Sequence, residues 1–212
     1  MSTKASKKKA YLISLIEIAL KYWIRSQCNY IEDIYINIKG DALNIINGKI
    51  SGLSVKGNRI DFKGLLIQSI SINSEEITLE VGISLKGVKA IPIKDFKIKG
   101  NIVLSSKDLN TILSAPTWSW IANWLCSNFC NNANFAELKI NQNELILKSY
   151  INEIQSTNIN YLFLEAKDGT ILFKDKESLR EALLPMDNSI CINDINLKES
   201  ILTIDGSSSI SP

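Results

Sequence analysis

The sequence predicts an α+β protein built on antiparallel sheet, and three observations carry that prediction. Apolar and polar residues alternate with a period of two along several stretches. One arrangement of apolar positions, with steps of two, five and two residues, occurs three times. Helical segments at the start and centre interrupt the alternation with a period near 3.6. Strict alternation makes one dry and one wet face, which is how antiparallel sheets meet water.

The first element lies in KKKAYLISLIEIALKYWI. Residues 1–10 read as a basic tail, since Lys4, Lys7, Lys8 and Lys9 stand with no acid until Glu17. Residues 11–27 read as an amphipathic helix, with Ile13, Ile16, Leu20, Trp23 and Ile24 on one face. The opening resembles a signal peptide, but Glu17 and Lys21 break the apolar run and no small-residue cleavage site follows. It is also too short and too charged to be a transmembrane helix. Two readings stand: the helix docks on the protein's own core, or it lies on a membrane. In the second, Lys7, Lys8 and Lys9 meet anionic headgroups and Trp23 sits at the interface.

Strands follow. DIYINIKG alternates at Ile34, Ile36 and Ile38, EEITLEVGISLKG from Ile77 to Leu85, and DFKIKGNIVL at Phe96, Ile98, Ile102 and Leu104. The recurring two-five-two arrangement falls at Leu53, Val55, Ile60 and Phe62, at Leu138, Ile140, Leu145 and Leu147, and at Ile195, Leu197, Leu202 and Ile204. Each set reads as a hairpin with a two-residue turn, at Gly57-Asn58 in the first. Glu199-Ser200 suits such a turn poorly, so the third predicts a looser one. Together they predict a long, meandering antiparallel sheet.

The centre, SSKDLNTILSAPTWSWIANWLCSNFC (105–130), is helical. Ser105 caps a helix with Asp108 in its first turn, and Leu109, Ile112 and Leu113 form its apolar stripe. Pro116 ends that helix or offsets a second one, from about Thr117, carrying Trp118, Trp120 and Trp124. A short helix from Ser178 to Leu184, stopped by Pro185, precedes the last hairpin.

At 212 residues with 45% apolar and 22% charged side chains, residues 11–212 suit a single folded domain. A net charge of +2 gives no footprint for nucleic acid. Histidine is absent, which removes the commonest general base and metal ligand. Cys28, Cys126, Cys130 and Cys191 are irregularly spaced and read as reduced, mostly buried thiols. Cys126 and Cys130 would need two distant ligands to hold zinc. No nucleophile elbow, phosphate-cradling loop or zinc-protease motif occurs. The reading is therefore not an enzyme, with no catalytic residue, no metal and no cofactor apart from a possible bound phospholipid.

Several ordered motifs between about Ile18 and Pro116 resemble one family. Trp23, Arg25, Ser26 and Gln27 match a W-x-R-S-Q run, followed by a strand and Gly40. Ile45, Ile46, Gly48 and Ile50 match an L-L-x-G-x-I turn, with Ile46 in place of a leucine. Gly64, Leu65 and Ile70 match G-L-x-x-x-x-I, and Asp108, Leu109 and Asn110 match a D-L-N helix entry, with Lys107 where a small or acidic residue is usual. This resembles the LmeA-like phospholipid-binding family, in its short branch of cyanobacterial type. The resemblance implies an elongated, strongly curled antiparallel sheet wrapped around helices, similar to tubular lipid-binding (TULIP/BPI-like) architecture.

It also implies a phospholipid or other acyl lipid as ligand and a membrane surface as partner. An apolar groove holds acyl chains without a polar constellation. Leu65, Leu66, Leu109, Leu113, Trp118 and Trp120 are the candidates for groove or mouth, and Lys7, Lys8, Lys9 and Trp23 for membrane contact. The tryptophans serve either as core or at a membrane interface. The central helices either fill the groove or seal one end. The rival function is a membrane-associated structural adaptor with a filled core and no lipid. The location expected is the cytoplasm, free or peripheral on the inner or thylakoid membrane. Nothing in the sequence specifies an oligomeric state.

Overall fold

The computed structural model describes the backbone of residues 2–84, 87–131, 133–151 and 156–212. Side chains are described for 13–41, 43–45, 47–80, 91–131, 133–150 and 157–212. The chain runs α1 (Ser2–Gln27), β1 (Tyr30–Lys39), α2 (Ala42–Ile46), β2 (Lys49–Ile50), β3 (Gly52–Phe62), β4 (Leu65–Ser74), β5 (Ile77–Ser84), β6 (Gly87–Pro92) and β7 (Phe96–Ser105). There follow α3 (Ser106–Ser114), α4 (Ser119–Phe129), β8 (Asn134–Asn141), β9 (Glu144–Ile151), β10 (Ser156–Lys167), β11 (Thr170–Asp175), β12 (Glu181–Leu183), β13 (Ile190–Lys198) and β14 (Ile201–Ile210).

This is α+β with antiparallel pairing throughout the described strands. The single meandering, strongly curled sheet of the sequence reading is replaced by three sheets, none strongly curled. They are ordered β1-β3-β4-β7-β14-β13, β12-β11-β10-β9-β8 and β2-β5-β6. The helix expected at 11–27 starts at Ser2, so the backbone of the lysine run is helical.

The three two-five-two stretches divide. Leu138 pairs with Leu147 and Ile140 with Leu145, a hairpin as the spacing predicts. Leu197 pairs with Leu202 and Ile195 with Ile204, also a hairpin. Its turn is tight rather than loose: Glu199 and Ser200 both adopt positive φ, 51° and 67°. That is the sign pattern of the type I′ turn, whose twist matches the strands it joins. Lys63-Gly64 and Asp168-Gly169 share it.

The stretch around Gly57-Asn58 is not a turn. It lies inside β3, which pairs with β1 on one side and β4 on the other. The extra residue is absorbed by Arg59, at φ 46°. A left-handed residue bends the strand and returns the next side chain to the dry face. Ile60 accordingly packs over Gly57, where a Cβ would lie 2.8 Å from Ile60 Cδ1. The neighbours take the same three-residue step, from Ile34 to Ile31 on β1 and from Ile70 to Ile67 on β4, leaving Glu32, Arg59 and Gln68 exposed. Arg59 Nε meets Glu32 Oε2 across the bend at 3.3 Å.

The short helix expected at Ser178–Leu184 does not form. The Asp175 carboxylate accepts from the amides of Glu177 (2.9 Å) and Ser178 (2.6 Å), which commits the chain to a turn. Leu179 follows at φ 58° and β12 pairs with β11.

The central helices form as the residues predict. Ser105 Oγ accepts from Asp108 N–H at 3.1 Å and donates to Asp108 Oδ2 at 2.6 Å, closing the first turn of α3. Pro116 lies in the link to α4. The main core joins Ile112, Leu113, Leu125 and Phe129 of these helices to Ile60, Leu104 and Leu202 of the six-stranded sheet and Leu147, Leu162 and Phe173 of the five-stranded one. A smaller core gathers Ile38, Ile45, Ile50 and Ile77, with Ile13 and Ile16 of α1 against it.

Candidate lipid-binding face

The register of the six-stranded sheet brings apolar residues into rows that cross it. One row runs Ile34–Gly57–Ile70–Ile102–Ile204–Ile195 and the next Ile36–Val55–Ile72–Gly100–Gly206–Ile192. With strands about 4.8 Å apart, six strands give a row of about 24 Å. The opposite face carries Tyr35, Lys56, Ser71, Asn101, Asp205 and Asp194, with Asn101 Nδ2 donating to Asp205 Oδ1 at 2.9 Å. The sheet thus has the dry and wet faces that the alternation predicts.

Cover over the dry face is uneven. At one end α3 and α4 close it over Leu104, Ile67 and Leu202. At the other, α1, α2 and β2 close it around Ile38. Between them Ile36, Ile70, Ile72, Ile102, Ile195 and Ile204 are only half-buried. Gly100 and Gly206 face each other there across β7 and β14. Glycine in a strand interior is unfavourable and marks bends or close approach. A Cβ on Gly100 would meet nothing nearer than 3.7 Å, from Ile72 Cγ1 and Ser71 O. Gly100 therefore leaves a shallow notch in an isoleucine floor, whereas a Cβ on Gly206 would already lie 3.0 Å from Cys191 O.

Helices also close two outer strands. Glu17 Oε1 accepts from Ile38 N–H at 3.0 Å, while Arg25 donates to the carbonyls of Ile31 and Glu32 at 3.0 and 3.3 Å. On β8, Asn110 accepts from Leu138 N–H at 2.7 Å and donates to Leu138 O. Ser106 Oγ accepts from Ile140 N–H at 3.2 Å. Side chains here do what a further strand would do.

The residues singled out for groove or mouth gather around the β3–β4 turn and the α3–α4 corner. Leu113 is core, at 5% exposed, and Leu65, Leu66, Leu109 and Trp118 are half-buried against the main cluster. Trp118 lies over Gly64 and donates from Nε1 to Lys63 O at 3.1 Å. Trp120 is 42% exposed. Trp124 stacks edge-on against Phe173 and Phe129, with centroids 5.4 and 6.3 Å away. The three central tryptophans thus divide between core, corner and surface.

On α1, Ile13, Ile16, Leu20 and Ile24 are half-buried, whereas Trp23 is 61% exposed. Leu15, Ile18 and Tyr22 form a second apolar stripe that faces out, which the single-face reading missed. Their spacing of three and four was visible in the sequence. The side chains of Lys7, Lys8 and Lys9 lie outside the described residues. No helix among the described residues is long and apolar enough to cross a membrane.

Cys126 and Cys130 are buried, Cys28 is half-buried and Cys191 is exposed. The hydrogen bond with Cys130, and then burial, push the Cys126 thiol up. No group of three or more metal-ligating side chains occurs among the described residues.

Comparison with known families matches residues 13–180 to the LmeA-like phospholipid-binding family. The chain belongs to that family. A DNA ligase of Malacoplasma penetrans (strain HF-2) is 32% identical over 101 residues, 45% of this chain and 13% of the ligase. The chain thus spans about an eighth of that protein's length. No solved structure matches.

The LmeA-like motifs are architectural where the structure describes them. Arg25 closes β1, Asp108 holds the Ser105 cap of α3 and Asn110 closes β8. Gly64 forms a type I′ turn, and a Cβ on Gly48 would fall 1.9 Å from Leu79 O. They build the sheet and its borders rather than a polar pocket.

Proposed function

We propose that this LmeA-like protein is a non-enzymatic phospholipid-binding protein, peripheral to a membrane, that lays acyl chains across the half-covered isoleucine rows. The observation that carries the reading is the notch at Gly100 among half-buried isoleucines, between two closed ends of the dry face. Burial of apolar area against such a floor contributes about 25 cal/mol per Å² without directional contacts. The corner of Leu65, Leu66, Leu109, Leu113, Trp118 and Trp120 forms the rim at one end, with Trp120 outermost.

Membrane contact runs through α1. Its exposed stripe of Leu15, Ile18 and Tyr22, with Trp23 beside it, enters the interface, and Lys7, Lys8 and Lys9 on the same helix meet anionic headgroups. On this reading the protein works from the cytoplasm at the inner or thylakoid membrane.

The adaptor reading has one observation in its favour. The space between the sheets is filled by helix, with Leu125, Leu147 and Leu162 essentially inaccessible. Uptake of a phospholipid with a fluorescent acyl chain separates the two. Saturable uptake at one or two equivalents supports the lipid-binding protein. Vesicle binding with no uptake supports the adaptor.

A further inference from the structure

The isoleucine row that ends at Ile195 runs into a cleft. Ile195 lines a cavity of about 440 Å³ together with Asn143, Leu164, Asn196, Leu197 and Lys198. A second cavity, of about 450 Å³, adjoins it and shares Asn143 and Lys198. Its walls are two hairpin turns, Gln142-Asn143 and Glu199-Ser200. Both are open to solvent rather than enclosed. The lining changes character along its length: Leu164, Ile195 and Leu197 are apolar, whereas Asn143, Asn196 and Lys198 present amides and an ammonium group.

We infer that this cleft takes the phosphate headgroup of a glycerophospholipid whose acyl chains lie on the isoleucine rows. The inference rests on the reading given above and adds where the polar end goes. A phosphate only accepts hydrogen bonds, so it requires donors. The side chains of Asn143 and Asn196 and the Lys198 ammonium are donors of that kind. β13, which lines the cleft, is the outer strand of its sheet. Glu199 Oε1 lies 3.8 Å from Lys198 Nζ, with both side chains more than three-quarters exposed, so Lys198 exchanges that surface partner for phosphate at little cost. Ile195, common to the row and the cleft, is where glycerol and the first methylenes would lie.

The test compares phosphatidylglycerol and diacylglycerol carrying the same fluorescent chain, bound to the full-length protein and to Lys198→Glu and Asn143→Asp. The expected result is phosphatidylglycerol binding weakened about tenfold in each variant, the scale of one lost charge-assisted contact, with diacylglycerol binding unchanged. Unchanged phosphatidylglycerol binding in both variants overturns the headgroup site while leaving the acyl rows standing. Equal loss for both lipids, with an unchanged melting temperature, also overturns it. A wild-type protein that binds neither lipid removes the lipid-binding reading and this inference together.

Discussion

The Glu17 carboxylate accepts the N–H of Ile38 at 3.0 Å, and this bond joins a helix to the open border of a sheet. β1 is an outer strand, and its unpaired groups invite association unless something covers them. With Arg25 on the carbonyls of Ile31 and Glu32, α1 covers both ends of β1. Asn110 performs the same service for β8.

Removing these covers weakens the fold and opens the borders. Glu17→Ala and Asn110→Ala are each expected to cost about 1–3 kcal/mol in urea unfolding, the range for hydrogen bonds to charged or partly buried groups. Hydrogen exchange is the sharper readout. The Ile38 amide should lose protection in the first variant and the Leu138 amide in the second.

The two classes of glycine should separate cleanly. A Cβ at Gly48 falls 1.9 Å from Leu79 O with φ at +76°, so Gly48→Ala is expected to destabilise by at least about 2 kcal/mol. A Cβ at Gly100 makes only ordinary contacts at 3.7 Å, so Gly100→Leu starts without a clash and should leave stability within about 1 kcal/mol of wild type. Its effect appears in lipid uptake, which should fall because the side chain occupies the notch.

Asp175 makes stability depend on acid. Burial alone would raise its pKa, but hydrogen bonds from Ser178, Asn160 and Glu177 outweigh that and hold it below the ordinary aspartate value. A carboxyl depressed in the folded state stabilises above its unfolded pKa, near 3.9, and loses that contribution as pH falls through the folded value. Unfolding measured from pH 7 to 2 should show this loss below about pH 4. Asp175→Asn should be less stable at neutral pH and flatter in acid.

The outward stripe of α1 predicts membrane affinity without a role in folding. Ile18→Ser with Trp23→Ser removes exposed apolar surface, so the melting temperature should hold. Co-sedimentation with phosphatidylglycerol vesicles should weaken by at least about tenfold, given about 1.5–3 kcal/mol for each large side chain fully buried.

Much of this fold was legible because its information is local. Alternation located β1, β5 and β7, Ser105 and Asp108 announced α3, and two hairpins followed from paired spacing. The bend at Arg59 was not legible, since a five-residue step fits a turn or a left-handed residue inside one strand equally well. β12 was hidden because its three residues become a strand only through pairing with β11 and the turn held by Asp175. The candidate site was less legible still. Gly100 and Gly206 are ordinary strand glycines until long-range register sets them opposite each other, and the residues chosen from the sequence mark only one end of that face.

Native mass spectrometry of the gently purified protein, with identification of whatever it carries, tests the central claim most directly. The account predicts one or two equivalents of phospholipid in the wild-type protein and a marked loss in Gly100→Leu. A wild-type protein that is empty, and stays empty when offered phospholipid vesicles, would contradict it.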